Sequence, residues 1–405
     1  MRRKFSAIAI GIVLLGVRVA FAAGPLAGAT LERVVMLSRH GVRAPTQNAA
    51  GLREISTRPW PAWGVGIGEL TAHGARGEEL LGAYFRVAYS AARLFPPSGC
   101  PAPSSVLFWA DNVDQRTRVS GQALMDGMFP GCGLAAGHAA LERPDPLFHP
   151  VESGACPIDG AAAERSVRTH APHGLDDLSP SYERALRRMA EILHNPELLS
   201  AHNTLVVDHD KVRLSGPLVL ANTAVEVFML EYEEGLPPQQ VAWGQAARVE
   251  DLQSLMAARD AYSNLWRRDP YLAARNAALL AKRIAAALQA PQLLTMLIGH
   301  DSNLANVGAL LDSNWYLPGQ PDSTPVGGTL AFEVWRVADA TEVVRILFYY
   351  QTPDQLRSLQ PLDSRHPPSA VTVRVPACAQ GREGLCSGAE LHALLEPAAA
   401  DRCLE

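Results

Sequence analysis

Three stretches of this 405-residue chain, residues 33–38, 106–110 and 293–298, are apolar in continuous blocks rather than by alternation. Short continuous runs predict strands covered on both faces, the environment of parallel strands flanked by helices. Abundant alanine and leucine with only 6% aromatic residues point the same way, to helices around a sheet rather than an all-β architecture. At 48% hydrophobic, the chain can bury one large domain or two intimately joined ones. Ligands of open α/β sheets bind outside the carboxyl ends of the strands, so the residues that follow each run are the first candidates for a site.

Those residues are chemically distinctive. The first run leads into Arg39-His40-Gly41-Val42-Arg43-Ala44-Pro45-Thr46, and the third into Gly299-His300-Asp301-Ser302-Asn303. An imidazole nitrogen can attack phosphorus, and flanking guanidiniums grip phosphate oxygens with paired hydrogen bonds. After the second run, residues 111–118 predict a helix start capped by Asp111 or Asn112, with Val119, Leu124 and Met128 continuing at helical spacing. Arg116 then falls in the first turns, near the strand end, where the helix N-terminus also favours an anion. The other ten histidines, including His209 between Asp208 and Asp210, read as surface or packing residues. Gly64-x-Gly66-x-Gly68 precedes no phosphate-binding turn after a strand and reads as a loop.

Residues 1–22 predict a signal peptide: Met1-Arg2-Arg3-Lys4 is basic, residues 5–17 are apolar and Ala20-Phe21-Ala22 fits the cleavage rule. The apolar run is too short to anchor the chain in a membrane. Cleavage would remove Arg2, Arg3, Lys4 and Arg18 and take the net charge from −5 to −9. So acidic a protein does not hold nucleic acid on a broad basic face, and its phosphate affinity must come from a few arginines focused in a cleft. All six cysteines follow the signal segment. An even count in an exported chain predicts disulfides, with 15 pairings open and no tight zinc-like spacing. No metal or cofactor is expected, because converging guanidiniums can neutralise a phosphate.

The middle third predicts helices over residues 181–194, 218–234 (started by Ser215-Gly216-Pro217) and 273–289. Paired strands follow over 329–337 and 343–350, with another at 371–375. The expected fold is α/β, a mostly parallel sheet covered by helices with an inserted smaller all-helical domain. The sheet domain would take residues 23–155 and 290–405 and the insertion residues 156–289.

Taken together, the octet and the His300-Asp301 pair resemble the histidine acid phosphatases, the branch of the histidine phosphatase superfamily that contains phytases and glucose-1-phosphatases. The resemblance extends to Asp114-x-Arg116-Thr117-Arg118, Trp60 to Trp63, Asp145-Pro146-Leu147-Phe148, and the block from Asn314 to Pro321 with Thr324-Pro325 and Gly327-Gly328. It implies that His40 is the nucleophile and forms a phosphohistidine. Asp301 would be the proton donor, and Arg39, Arg43, Arg116 and His300 would bind phosphate. It also implies the pairs Cys100–Cys132, Cys156–Cys403 and Cys378–Cys386 and a small phosphate monoester as substrate; disulfides suit an oxidising space such as the periplasm, and a monomer is expected. Thr46, Gln47 and Glu226 match positions on the substrate pocket. The octet and the 314–328 block look like phytases. In contrast, Glu234-Gly235-Leu236-Pro237, Gln240-Val241-Ala242-Trp243-Gly244 and Ser302 look like glucose-1-phosphatases, and Gln47 stands where phytases commonly have a lysine. Phytate and sugar phosphates both remain open as substrates. A phosphate-transferring mutase is disfavoured by the export signal and the second arginine of the octet, and a mere phospho-ligand binder by Asp301.

Overall fold

The computed structural model describes residues 24–209, 211–378, 385–396 and 403; the expected signal peptide lies outside them. The strands are β1 (Thr30–Arg39), β2 (Val106–Ala110), β3 (Gly137–His138), β4 (Thr204–Asp208), β5 (Lys211–Ser215), β6 (Leu294–Gly299), β7 (Thr329–Arg336), β8 (Glu342–Tyr350), β9 (Ser369–Thr372) and β10 (Cys386–Ser387). The helices are α1 (Ala49–Ile55), α2 (Ala72–Ala91), α3 (Gln115–Met128), α4 (Gly160–Thr169), α5 (Pro180–Leu193), α6 (Pro217–Glu233), α7 (Val249–Leu255), α8 (Ala257–Tyr262), α9 (Pro270–Ala287), α10 (Asp301–Leu310), α11 (Pro353–Ser358) and α12 (Gly388–Leu395). None of the described helices is long and apolar enough to cross a membrane.

The main sheet runs β10-β8-β7-β1-β6-β2-β3, with β9 also on β8. Its core β1-β6-β2-β3 is parallel, and β7 to β10 add an antiparallel flank. The three continuous apolar runs are the adjacent strands β1, β6 and β2, covered on both faces as their composition predicts. Val35 and Leu37 of β1 face one cluster with α9, α10 and α12, while Val34 and Met36 face the other with α2 and α3.

The insertion packs its own apolar cluster, including Val167, Tyr182, Met189, Leu218 and Phe228. It is not all-helical: β4 and β5 form an antiparallel hairpin there. The hairpin escapes a sequence reading because each strand is five residues long and only half-covered, its side chains alternating between exposed and partly buried. Helix α9, expected in the insertion, sets Ala277, Leu280, Ala281 and Ile284 against Val35, Leu37 and Leu297 of the sheet. We therefore draw the end of the insertion near residue 270.

All six cysteines pair as the resemblance implied: Cys100–Cys132, Cys156–Cys403 and Cys378–Cys386. The second closes 247 residues and ties the C-terminal segment to the entry of the insertion. Replacing both of its cysteines by serine should lower unfolding stability by about 2–5 kcal/mol, which urea denaturation would measure. An unchanged midpoint would show the bridge to be dispensable.

Three buried carboxyls carry a second stability effect. Burial pushes Glu78 well above the usual carboxylate range, and Glu231 and Glu233 up to about 8. Such groups enter the fold neutral. Below about pH 4.5 they are protonated in the folded and unfolded chain alike; as pH rises toward 8 only the unfolded chain ionises, so stability falls across that window. Glu231 accepts one hydrogen bond from the Ala242 amide at 2.8 Å, and its second oxygen has no partner. Glu231→Gln can keep that bond without the ionisation. The variant should lose less stability than the parent between pH 5 and pH 8, by roughly a few kcal/mol. Parallel pH curves for the two would contradict the assignment.

Candidate active site

The strand register brings the site together. Arg39 of β1 pairs with Gly299 of β6, and Ala110 of β2 pairs with Ile298, so His40, His300 and Asp111 emerge side by side at one sheet edge. The ladder continues one step beyond the strands, with the His40 amide donating to the Gly299 carbonyl at 3.1 Å and the Asp111 amide to Ile298 at 2.9 Å. Gly299 is required here, because a Cβ would lie 2.5 Å from Asn303 Oδ1 and 2.9 Å from the Phe148 ring. His300 then caps α10, and Asn303 Oδ1 accepts from its amide.

His40 is buried, and its Nδ1 lies 2.8 Å from the Gly41 carbonyl. A carbonyl only accepts, so Nδ1 carries the proton and Nε2 keeps its lone pair. Burial and then the charges of Arg116, Arg39 and Arg43 hold the imidazole pKa well below its ordinary value, so His40 stays neutral in acid. The His300 ring stands edge-on at 5.6 Å. The Nε2 of His300 bonds Asp111 Oδ2 at 2.9 Å; burial lowers its pKa although Asp111 pulls it upward.

The guanidiniums are locked by carboxylates. Arg39 donates to Glu226 Oε1 at 2.6 Å and to Asp322 Oδ2 at 3.1 Å, and Arg43 approaches the same Glu226 oxygen at 3.1 Å. Arg116 stands in the first turn of α3 as expected, paired with Asp114 at 2.6 Å. Glu226 reaches the site from α6; burial would raise its pKa, but Arg43 and Arg259 outweigh this and bring it down to about 2. Thr46 is exposed and Gln47 half-buried at the rim leading into α1, and Thr46 and Arg116 both flank Gly68.

Asp301 differs from expectation in its partners. Its Oδ2 accepts from Arg259 at 2.7 Å and lies 2.8 Å from Arg267, while Oδ1 takes the Ser302 amide at 2.8 Å. Burial opposes the charge, yet Arg267, Arg39 and Arg259 together hold the carboxyl well below its usual range. In this geometry the expected proton donor is a carboxylate.

Five residues of the site carry no conspicuous sequence signal. Arg259 sits in α8, buried against Asp301 and Asp322, and Arg267 in the π-helical turn that follows. Asp322 bridges Arg39 and Arg259. Asp111 is not a helix cap; Asp114 holds the cap position and Asp111 is fully buried beneath His300. His149, read as a surface or packing residue, lies with Nε2 3.1 Å from Asp111 Oδ2 and its ring 5.5 Å from that of His300. The reason is remote: Asn112 and Trp109 bond the loop at Asp145, which turns His149 inward.

Residues 30–215 match the histidine phosphatase superfamily (branch 2). Over 404 residues the chain is 33% identical to phytase AppA of Escherichia coli, covering 92% of this chain and 93% of that protein. The chain belongs to the histidine phosphatase superfamily. It is likewise 32% identical over 407 residues to the glucose-1-phosphatase of Salmonella typhimurium, covering 95% and 97% of the two chains. The Hafnia alvei phytase solved with tartrate superposes with a TM-score of 0.88 at 35% identity, over 93% of this chain and 99% of that one. This histidine phosphatase is a phosphomonoesterase, in keeping with a histidine–arginine cradle at the strand ends.

Proposed function

We propose that the protein is an acid phosphomonoesterase of phytate and sugar phosphates that works through a phosphohistidine on His40, in the periplasm. The observation that carries the mechanism is the His40 tautomer: a neutral imidazole with Nδ1 anchored to a carbonyl and Nε2 free among Arg39, Arg43 and Arg116. Nε2 attacks phosphorus in line, the guanidiniums and His300 take the charge of the transferring group, and the ester oxygen departs with a proton. Water then attacks the phosphohistidine and returns His40. Export is supported by the disulfides, which persist in oxidising compartments.

The proton arrives with the substrate. The site sets five guanidiniums (Arg39, Arg43, Arg116, Arg259, Arg267) and His149, whose pKa burial would lower but Asp111 raises, against five carboxylates (Asp111, Asp114, Glu226, Asp301, Asp322). A phosphate dianion adds two negative charges, so binding favours uptake of a proton, brought by a monoanionic ester or taken by Asp301. Phosphate esters lose their second proton near pH 6, so kcat/KM should fall about tenfold per pH unit above that. A flat profile to pH 8 would contradict the balance.

Beside Asp301 lies a cavity of about 350 Å³ lined by Phe148, His149, Tyr262, Trp266 and Arg267 among others. Within the lining only Arg267 and His149 can be cationic, which favours a compact sugar monophosphate over an ester carrying six phosphates. Phosphate release from glucose 1-phosphate and phytate at pH 5 tests this: kcat/KM should be higher for the sugar. A reversed order would assign the site to phytate, and an isomer without free phosphate would make the enzyme a mutase.

A further inference from the structure

Two imidazoles converge on one carboxylate oxygen in this site. His300 Nε2 and His149 Nε2 stand 2.9 Å and 3.1 Å from Asp111 Oδ2, and the three donor atoms all lie within 4.8 Å of one another. The His300 contact is a hydrogen bond. The His149 contact is an ion pair at 3.1 Å in which Nε2 is buried and off the line of a well-aligned hydrogen bond. A buried ring nitrogen aimed past a neighbouring carboxylate oxygen is a poor hydrogen-bond donor. It is, however, the disposition of two ligands that share a cation, since their lone pairs point to the metal and not at each other. Ligands 2.0–2.2 Å from a tetrahedral zinc ion stand roughly 3.3–3.6 Å apart, so the two contacts would spread by a few tenths of an ångström to admit one.

We propose that Asp111, His149 and His300 form a binding site for a divalent transition-metal ion of the zinc type, with a fourth position open to solvent or a phosphate oxygen. Two imidazoles and one carboxylate select such borderline ions over magnesium or calcium, which need a larger set of oxygen ligands. The supporting shell is present, because His149 Nδ1 lies 3.4 Å from Glu152 Oε2, a carboxylate able to fix the ring with Nε2 inward. An entry path exists as well: His149 and Glu152 both line the 350 Å³ cavity beside Asp301. The ion and the His300–Asp111 hydrogen bond use the same atoms, so each excludes the other. Occupancy would thus remove the contact that orients His300 and make the ion an inhibitor of phosphate release, not a cofactor.

Equilibrium dialysis of the EDTA-treated, disulfide-intact enzyme against Zn²⁺ at neutral pH tests the proposal, with His149→Asn and the exposed-site control His209→Asn run alongside. One equivalent should bind the parent and His209→Asn, Mg²⁺ should not compete, and His149→Asn should weaken binding by more than about tenfold with an unchanged far-UV spectrum. Inhibition of the parent by Zn²⁺ should follow the same saturation curve and reverse with EDTA. Equal zinc binding by the parent and a folded His149→Asn variant, or no stoichiometric binding by the parent, would overturn it. Either failure would leave the phosphatase reading untouched, because the proposed hydrolysis uses no metal.

Discussion

His40→Ala is expected to lower kcat by at least ~10⁴-fold on every phosphate ester, the scale on which removing an activated nucleophile acts. Among the described histidines at the strand ends, His40 alone offers a free Nε2 amid the arginines. His300 commits its Nε2 to Asp111, and the His149 ring nitrogens face the carboxylates of Asp111 and Glu152. The Arg39, Arg43 and Arg116 cradle would remain in the variant, so phosphate should still bind as a competitive ligand. A loss in KM with kcat preserved would mean that His40 merely binds substrate.

The second large effect concerns the departing alcohol. Asp301→Asn should reduce kcat on glucose 1-phosphate by about 10²–10⁴-fold, the usual contribution of a general acid, and kcat on p-nitrophenyl phosphate by less than about tenfold. A sugar alkoxide must be protonated as its bond to phosphorus breaks, whereas nitrophenolate leaves with little help. The structure supplies a concrete rival. Asp301 is ion-paired with Arg259 and Arg267, so it could serve only to hold those guanidiniums. In that case the variant would disturb the shared phosphate site, and both esters would slow by the same factor.

The elements that place His40 are legible in the chain. Continuous apolar runs mark β1, β2 and β6, and these buried parallel strands end beside one another at His40, Asp111 and His300. Arg116 is legible because it opens a helix directly after β2. Arg259 and Arg267 are not, since an arginine in or after a six-residue helix looks like any solvated charge until α6, α10 and the loop at Asp322 close around it. The sequence offers Asp111 as a cap because a polar residue ahead of a helix has that appearance whether it faces the helix or the sheet edge. The ion pairs of Asp301 were equally hidden. They leave Asp301 a carboxylate before substrate arrives, so in the proposed mechanism it takes up the proton that comes with the ester and passes it to the leaving oxygen.

In the proposed mechanism, phosphate passes through a covalent bond to His40 Nε2. Rapid quenching of the enzyme with ³²P-labelled p-nitrophenyl phosphate, followed by peptide mapping under alkaline conditions that preserve phosphohistidine, tests it directly. The predicted result is label on the peptide containing His40, lost on brief acid treatment and missing from His40→Ala. Label on any other residue, or full turnover in the parent with no trapped phosphate at any quench time, would contradict it.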